Sequence, residues 1–86
     1  MIVPTKAQHS RYYAVLRKRL RAWRDDAELT QRELGELLGK PQSWVHNCET
    51  GNRRMDILEF AQWVDACGVK PAAALDMLRK ETRMWK

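Results

Sequence analysis

The sequence predicts an all-α fold of five helices in a single domain spanning residues 1–86. Only four glycines and three prolines interrupt the chain, so long stretches are open to helix formation. Between these breaks, apolar residues recur at three- and four-residue steps, and no segment alternates β-branched with polar residues as a strand would. At 86 residues and 44% hydrophobic content, we expect one small core.

The first predicted helix is basic and amphipathic, and it runs from about Ser10 to Asp26. Arginines and lysines occupy its polar face. The apolar face repeats at helical spacing and consists of Tyr13, Leu16, Leu20, Trp23 and Ala27. We expect the preceding residues 1–9 to be flexible.

A capping box predicts the start of the second helix. In the run Thr30-Gln-Arg-Glu33, the Thr30 hydroxyl is placed to accept from the Glu33 amide, while the Glu33 carboxylate reaches back. The helix is short because only eight residues separate the cap, Thr30, from Gly39. We therefore expect a tight turn at Gly39.

The third helix is predicted between Pro41 and Gly51. Proline suits the first helical turn, where its missing N–H costs no hydrogen bond, and glycine suits a left-handed C-cap. Val45 and Cys48 are predicted to face inward. Two short helices joined by a tight turn form a helix-turn-helix over about residues 29–51.

The fourth and fifth helices are predicted from a second capping box and from Pro71. Asp56 and Glu59 form the box, and Gly68 ends the fourth helix. Its predicted apolar stripe consists of Ile57, Phe60, Ala61, Val64 and Cys67. Pro71 opens a C-terminal helix over residues 72–86, which carries more apolar residues than five packed helices need and is therefore a candidate dimer seam. These residues are Leu75, Met77, Leu78, Met84 and Trp85.

The positive charge of the chain is concentrated at one end. The net charge is +5, but the first 24 residues carry seven basic and no acidic side chains, which leaves −2 for the rest. A basic end is typical of a polyanionic partner, with nucleic acid favoured over a membrane. The alternative is a basic helix that only improves solubility.

Several other classes of protein are disfavoured. No apolar run has the length of a signal peptide or a membrane span, so we expect a cytoplasmic protein without membrane contact. Cys48 and Cys67 are predicted to be reduced, buried thiols. Together with His9 and His46 they show no metal-ligand spacing, and neither histidine has an evident catalytic partner. We expect no enzyme, no metal and no cofactor.

The central motif resembles one family closely. The run Leu29-Thr-Gln-Arg-Glu-Leu-Gly-Glu-Leu-Leu-Gly39, followed by Val45, Glu49 and Gly51, is similar to the phage-repressor and Cro type of DNA-binding domain, the xenobiotic response element (XRE) family. The resemblance covers roughly Leu16 to Leu78 and implies a five-helix bundle with a central helix-turn-helix. In helix 2 the usual alanine is Gly35, which permits the same close approach of helix 3.

The resemblance also implies a role for individual residues. It implies that an arginine of helix 1 pairs with the glutamate of helix 3, here Arg24 with Glu49. Base-reading positions fall on Gln42, Ser43, His46 and Asn47. Positions near the DNA backbone fall on Gln31, Trp44, Asn52, Arg53 and Arg54. For Trp44 two interpretations stay open, namely contact with DNA and cover for the edge of the core.

These observations predict a dimeric, sequence-specific transcriptional regulator, a repressor that binds double-stranded DNA with helix 3 in the major groove. The alternative is a protein-interaction module on the same fold, such as an adaptor or an antitoxin with a bound toxin, because fold does not determine function.

Overall fold

The computed structural model describes residues 11–83, and all of its regular structure within that range is helical. The helices are α1 (Arg11–Asp26), α2 (Gln31–Leu38), α3 (Gln42–Thr50), α4 (Ile57–Ala66) and α5 (Pro71–Thr82). The predicted five-helix, all-α fold is confirmed. The predicted flexible segment 1–9 and the last residues of the predicted C-terminal helix, 84–86, lie outside the described residues.

Both predicted capping boxes are present. The Thr30 hydroxyl accepts a hydrogen bond from the Glu33 amide at 3.0 Å, and the Glu33 carboxylate accepts from the Thr30 amide at 2.9 Å. Asp56 and Glu59 form the same reciprocal pair at 2.8 and 3.0 Å. Each box satisfies two amides that a helix start leaves without partners, so the starts of α2 and α4 are set by local sequence.

The start of α3 differs from the prediction by one residue. Pro41 is the N-cap, with extended backbone at φ −69° and ψ 157°, so the first helical residue is Gln42. The turn before it is packed tightly on α2: the Lys40 amide donates to the Gly35 carbonyl at 2.8 Å, and a Cβ on Gly35 would meet the Lys40 carbonyl oxygen at 2.6 Å. The chain therefore enters α3 from an extended turn, and glycine in α2 permits that approach.

The core lies where all five helices meet. Its buried residues are Leu20, Trp23, Leu34, Val45, Cys48, Phe60, Trp63, Val64 and Ala74. Trp63 was missing from the predicted stripe of α4, yet it is completely buried and its indole N–H donates to the Leu20 carbonyl at 3.1 Å. Ile57 was predicted to face inward but is 67% exposed, because the first turn of α4 lies at the rim of an apolar groove between α1, α4 and α5.

The two cysteines differ in burial. Cys48 is buried as predicted, whereas Cys67 is only half-buried because it caps the C-terminal end of α4. Burial raises the pKa of each thiol to about 11. Within residues 11–83, no helix is long and apolar enough to cross a membrane.

Candidate nucleic-acid interface

The exposed face of α3 is polar. At about 100° per residue, the buried Val45 and Cys48 define the inner side of the helix. Gln42, Ser43 and His46 are exposed, and Asn47 is half-buried at the edge of the same face. The four predicted base-reading residues therefore share the outer surface of α3, which is where a recognition helix needs them.

The one acidic residue of α3, Glu49, is neutralised internally. Its carboxylate accepts two hydrogen bonds from the Arg24 guanidinium, at 2.6 and 3.0 Å, and the two side chains are only 4% and 9% exposed. Arg24 also donates to the Leu29 carbonyl at 2.8 Å. Hydrogen bonding to Glu49 holds the pKa of Arg24 above its usual value. This pair ties α3 to α1 and leaves the outer face of α3 without net charge.

A relay of amides connects the buried pair to the outer face of α3. The Gln31 amide nitrogen donates to Glu49 at 2.9 Å, and the Gln31 amide oxygen accepts from the Gln42 amide at 3.0 Å. The buried Glu49 carboxylate therefore orients the Gln31 side chain, and Gln31 in turn orients the Gln42 side chain. Each amide nitrogen carries two hydrogens, so Gln31 and Gln42 both retain one donor for DNA.

The loop that follows α3, residues 51–55, is anchored at both ends. The Asn52 and Arg53 amides both donate to the Asn47 carbonyl, at 3.0 and 3.2 Å. At the other end, the Met55 amide donates to the Tyr13 hydroxyl of α1 at 3.1 Å. Asn52, Arg53 and Arg54 are all exposed on this fixed loop.

The two loop arginines differ in their electrostatic surroundings. The Arg53 guanidinium lies 3.1 Å from the Glu59 carboxylate, which partly neutralises its positive charge. Arg54 has no carboxylate within ion-pair distance among residues 11–83. Sequence reasoning treated the two as equivalent, because the contact between Arg53 and α4 depends on the folded loop.

Trp44 lies against the core as well as beside the exposed face. Its ring centroid is 6.1 Å from that of Trp63, and its indole nitrogen is buried without a hydrogen-bond partner in the described part of the chain. The predicted backbone contact of Trp44 therefore has no N–H donor in this conformation. The interpretation that Trp44 covers the edge of the core fits its position.

Helix α1 packs against the start of the loop that follows α3. A Cβ on Gly51 would lie 3.0 Å from the Arg17 side chain, so that arginine packs directly on the C-cap of α3. Arg17 precedes Arg24 by seven residues, two turns along the same face of α1. This spacing indicates from the sequence alone that Arg17 and Arg24 lie on the same face of α1. Which face of α1 packs against α3, however, is determined only by the tertiary fold.

Two comparisons with known proteins find similarity, and a third does not. Residues 15–78 match a family described as "Helix-turn-helix domain". An XRE-family like protein from Pseudomonas syringae pv. tomato str. DC3000 has a similar structure, with a TM-score of 0.81 and 38% sequence identity. That similarity covers 91% of this chain and 95% of the other chain. No curated protein sequence matches.

Proposed function

The chain belongs to the XRE-type helix-turn-helix family of DNA-binding regulators, and on that premise we propose that it is a cytoplasmic, sequence-specific repressor that reads the major groove with α3. The observation that carries this proposal is the neutral polar face of α3, supported from behind by the Arg24–Glu49 pair. A rigid helix whose outer face carries amides, a hydroxyl and an imidazole suits hydrogen bonding to base edges.

Individual roles follow from the chemistry of the exposed side chains. Gln42 and Asn47 each carry an amide, which can pair bidentately with the N6 and N7 edge of adenine. Ser43 and His46 lie beside them and supply less selective hydrogen bonds. Since α3 has no arginine or lysine to seek guanine, we propose a half-site with A·T at the positions met by the two amides.

The backbone contacts are assigned to the flanks of α3. We propose that Asn52, Arg53 and Arg54 approach phosphates from the loop after α3, and that Gln31 does so from the start of α2. Main-chain amides at a helix start also favour phosphate. These contacts hold the domain in register on the duplex and carry no sequence information themselves.

A titration against duplex DNA at several salt concentrations tests the DNA-binding function. A DNA-binding protein loses affinity steeply as salt rises, since each phosphate contact releases counterions. An adaptor or antitoxin-like module would bind the duplex little at any salt. The second outcome would contradict the proposed function and favour a protein partner.

The same titration should separate the two loop arginines. We expect Arg54→Ala to reduce the salt slope by about 0.9, the value of one lost phosphate contact, and to weaken all sequences alike. Arg53→Ala should reduce the slope less, because Glu59 already neutralises part of its charge. Lys70→Ala, which removes a positive charge at the start of α5, is the control and should leave the slope unchanged. Equal losses for Arg53 and Arg54 would argue against the role of Glu59.

We also propose that the protein acts as a homodimer. Leu75 and Met77 of the predicted seam are exposed on α5, and Leu75 lines the same groove as the exposed Ile57 of α4. Two-fold pairing through such an apolar surface would present two recognition helices to half-sites about one helical turn apart. Leu78, also in the predicted seam, is half-buried against the core, and the remaining two residues, Met84 and Trp85, lie outside the described residues.

Sedimentation equilibrium tests the position of the seam. Leu75→Glu should shift the protein from dimer to monomer, because it places a charge in the apolar surface. Leu37→Glu is the matched control: this leucine is 62% exposed on α2, away from the groove, and its substitution should leave the dimer intact. A dimer that resists Leu75→Glu, or a wild-type monomer at all concentrations, would contradict the proposal.

A further inference from the structure

Two cations from opposite ends of α3 lie on one aromatic ring. Lys40 Nζ is 5.2 Å from the centroid of the Trp44 ring, and the Arg53 guanidinium carbon is 5.5 Å from it. Lys40 precedes α3 and Arg53 follows it, so the ring brings together groups that are distant along the helix. Cations are attracted to the face of an indole, which favours this arrangement over free movement of either side chain.

The ring itself is held in place. Trp44 packs against Trp63 of α4, and Trp63 is fixed by its hydrogen bond to the Leu20 carbonyl. The Lys40 backbone is fixed as well, since its amide donates to the Gly35 carbonyl at 2.8 Å. Ring and turn therefore form one rigid support for a flexible lysine side chain.

The position of this ring is at the edge of the outer face of α3. Trp44 precedes Asn47 by three residues, and residues at that spacing are neighbours on a helix surface. The opposite edge of the face carries Gln42, braced by Gln31. The outer face of α3 is thus bordered on one side by the amides of Gln31 and Gln42 and on the other by two cations.

Of the two cations, Lys40 has the charge that is not compensated. No carboxylate lies within ion-pair distance of Lys40 among residues 11–83, whereas Arg53 is paired with Glu59. With Glu49 neutralised by Arg24, Lys40 is the uncompensated charge next to the N-terminal end of α3. Such a charge is expected to contact a phosphate when the helix enters the groove.

We infer that Lys40 is a further contact to the DNA backbone and that Trp44 is its positioning residue, holding Lys40 and Arg53 along one strand. The inference rests on the proposed DNA-binding function and adds to it a residue that the family resemblance does not supply. The distances to the shared ring place the two cations less than about 11 Å apart. Phosphates of one strand follow at a rise of about 3.4 Å, so this separation matches the spacing of phosphates a few nucleotides apart on one strand.

The test is the salt dependence of binding to a short, fluorescently labelled duplex of mixed sequence. Non-specific binding is suited to this measurement because it consists largely of phosphate contacts. Lys40→Gln should reduce the slope of log affinity against log salt by about 0.9, and Lys70→Gln, which removes the same charge elsewhere, should not. If the wild type bound no duplex at any salt, the proposed function would be overturned. If it bound and Lys40→Gln behaved like Lys70→Gln, only the present inference would be overturned.

The positioning role of Trp44 is tested on the same duplex. Trp44→Leu should reduce the salt slope although Lys40 and Arg53 are both retained, and Trp44→Phe should preserve the slope because it keeps an aromatic face. In the Trp44→Leu background, Lys40→Gln should have a smaller effect than in the wild type. Thermal unfolding of each variant shows that it is folded at the assay temperature, and Trp44→Met, which also removes the aromatic face, takes the place of Trp44→Leu should that variant not fold. A purely structural tryptophan would change the melting temperature and leave all salt slopes equal, which would overturn the positioning role.

Discussion

Replacing Glu49 by alanine is expected to lower the free energy of unfolding by about 3–5 kcal/mol, the range measured when one partner of a buried ion pair is removed. The variant removes the carboxylate that holds the buried Arg24 guanidinium through two hydrogen bonds and leaves it only the exposed Asp25 carboxylate at 3.4 Å. It also removes the acceptor of the Gln31 amide. Because α3 is tied to α1 through this pair, the loss should reduce the stability of the whole domain. Urea unfolding monitored by tryptophan fluorescence gives the change.

Two control variants separate the buried pair from the loss of a surface charge. Glu36 lies 3.9 Å from Arg32 on the exposed side of α2, so Glu36→Ala should change stability by no more than about 0.5 kcal/mol. The double variant Arg24→Met/Glu49→Met should recover much of the loss, since apolar groups of similar volume can replace a buried pair. If Glu49→Ala matched Glu36→Ala, the pair would not have the structural role assigned to it.

The second large effect is expected at the reading face of α3. Each bidentate pair between an amide and adenine is worth about 1–3 kcal/mol of discrimination, so Gln42→Ala/Asn47→Ala should lose about 2–6 kcal/mol of preference for the specific site. Neither side chain belongs to the buried core, and stability should change little. Competition between the protein's own promoter region and a mixed-sequence duplex measures the preference.

A backbone variant is the matched control for that loss. Arg54→Ala should weaken binding to both duplexes in similar proportion, so that its preference stays near the wild-type value. A double variant of Gln42 and Asn47 that also weakened both duplexes equally would place these two residues among the backbone contacts. Sequence reading would then have to lie elsewhere on the domain.

Features encoded in a few adjacent residues were predictable from the sequence. The capping boxes at Thr30 and Asp56 each lie within four consecutive residues, and both helix starts were placed correctly. The left-handed turn at Gly39, with φ 70°, is of the same kind. In such cases the hydrogen-bonding requirement of a helix end is met by its own neighbours, and no knowledge of the tertiary fold is needed.

Features that depend on packing between helices were not predictable from periodicity, and the Arg24–Glu49 pair was predicted only through the family resemblance. Trp63 and Ile57 both lie at helical spacing from Phe60, yet one is fully buried and the other is 67% exposed. The pairing of Arg53 with Glu59 likewise requires the folded loop. Periodicity gives the apolar side of a helix, but the position of a helix end relative to its neighbours decides which residues on that side are covered.

The basic end of the chain has more than one use in the structure. Arg24 is buried against Glu49, and Arg19 of the same helix bonds Glu81 of α5 at 2.6 Å. Arg17 packs on Gly51 beside the loop that follows α3. The charge that composition assigned to a polyanionic partner is therefore partly used to join α1 to α3 and α5.

Selection of binding sites from a random duplex pool tests the central claim most directly, because it measures sequence reading without knowledge of the operator. For the wild type we predict a site with two related halves and A·T fixed at the positions met by Gln42 and Asn47. For Gln42→Ala/Asn47→Ala we predict that those positions become variable while the protein still binds DNA. Invariant G·C at those positions, or enrichment of the same site by the double variant, would contradict the assignment of α3 as the reading helix.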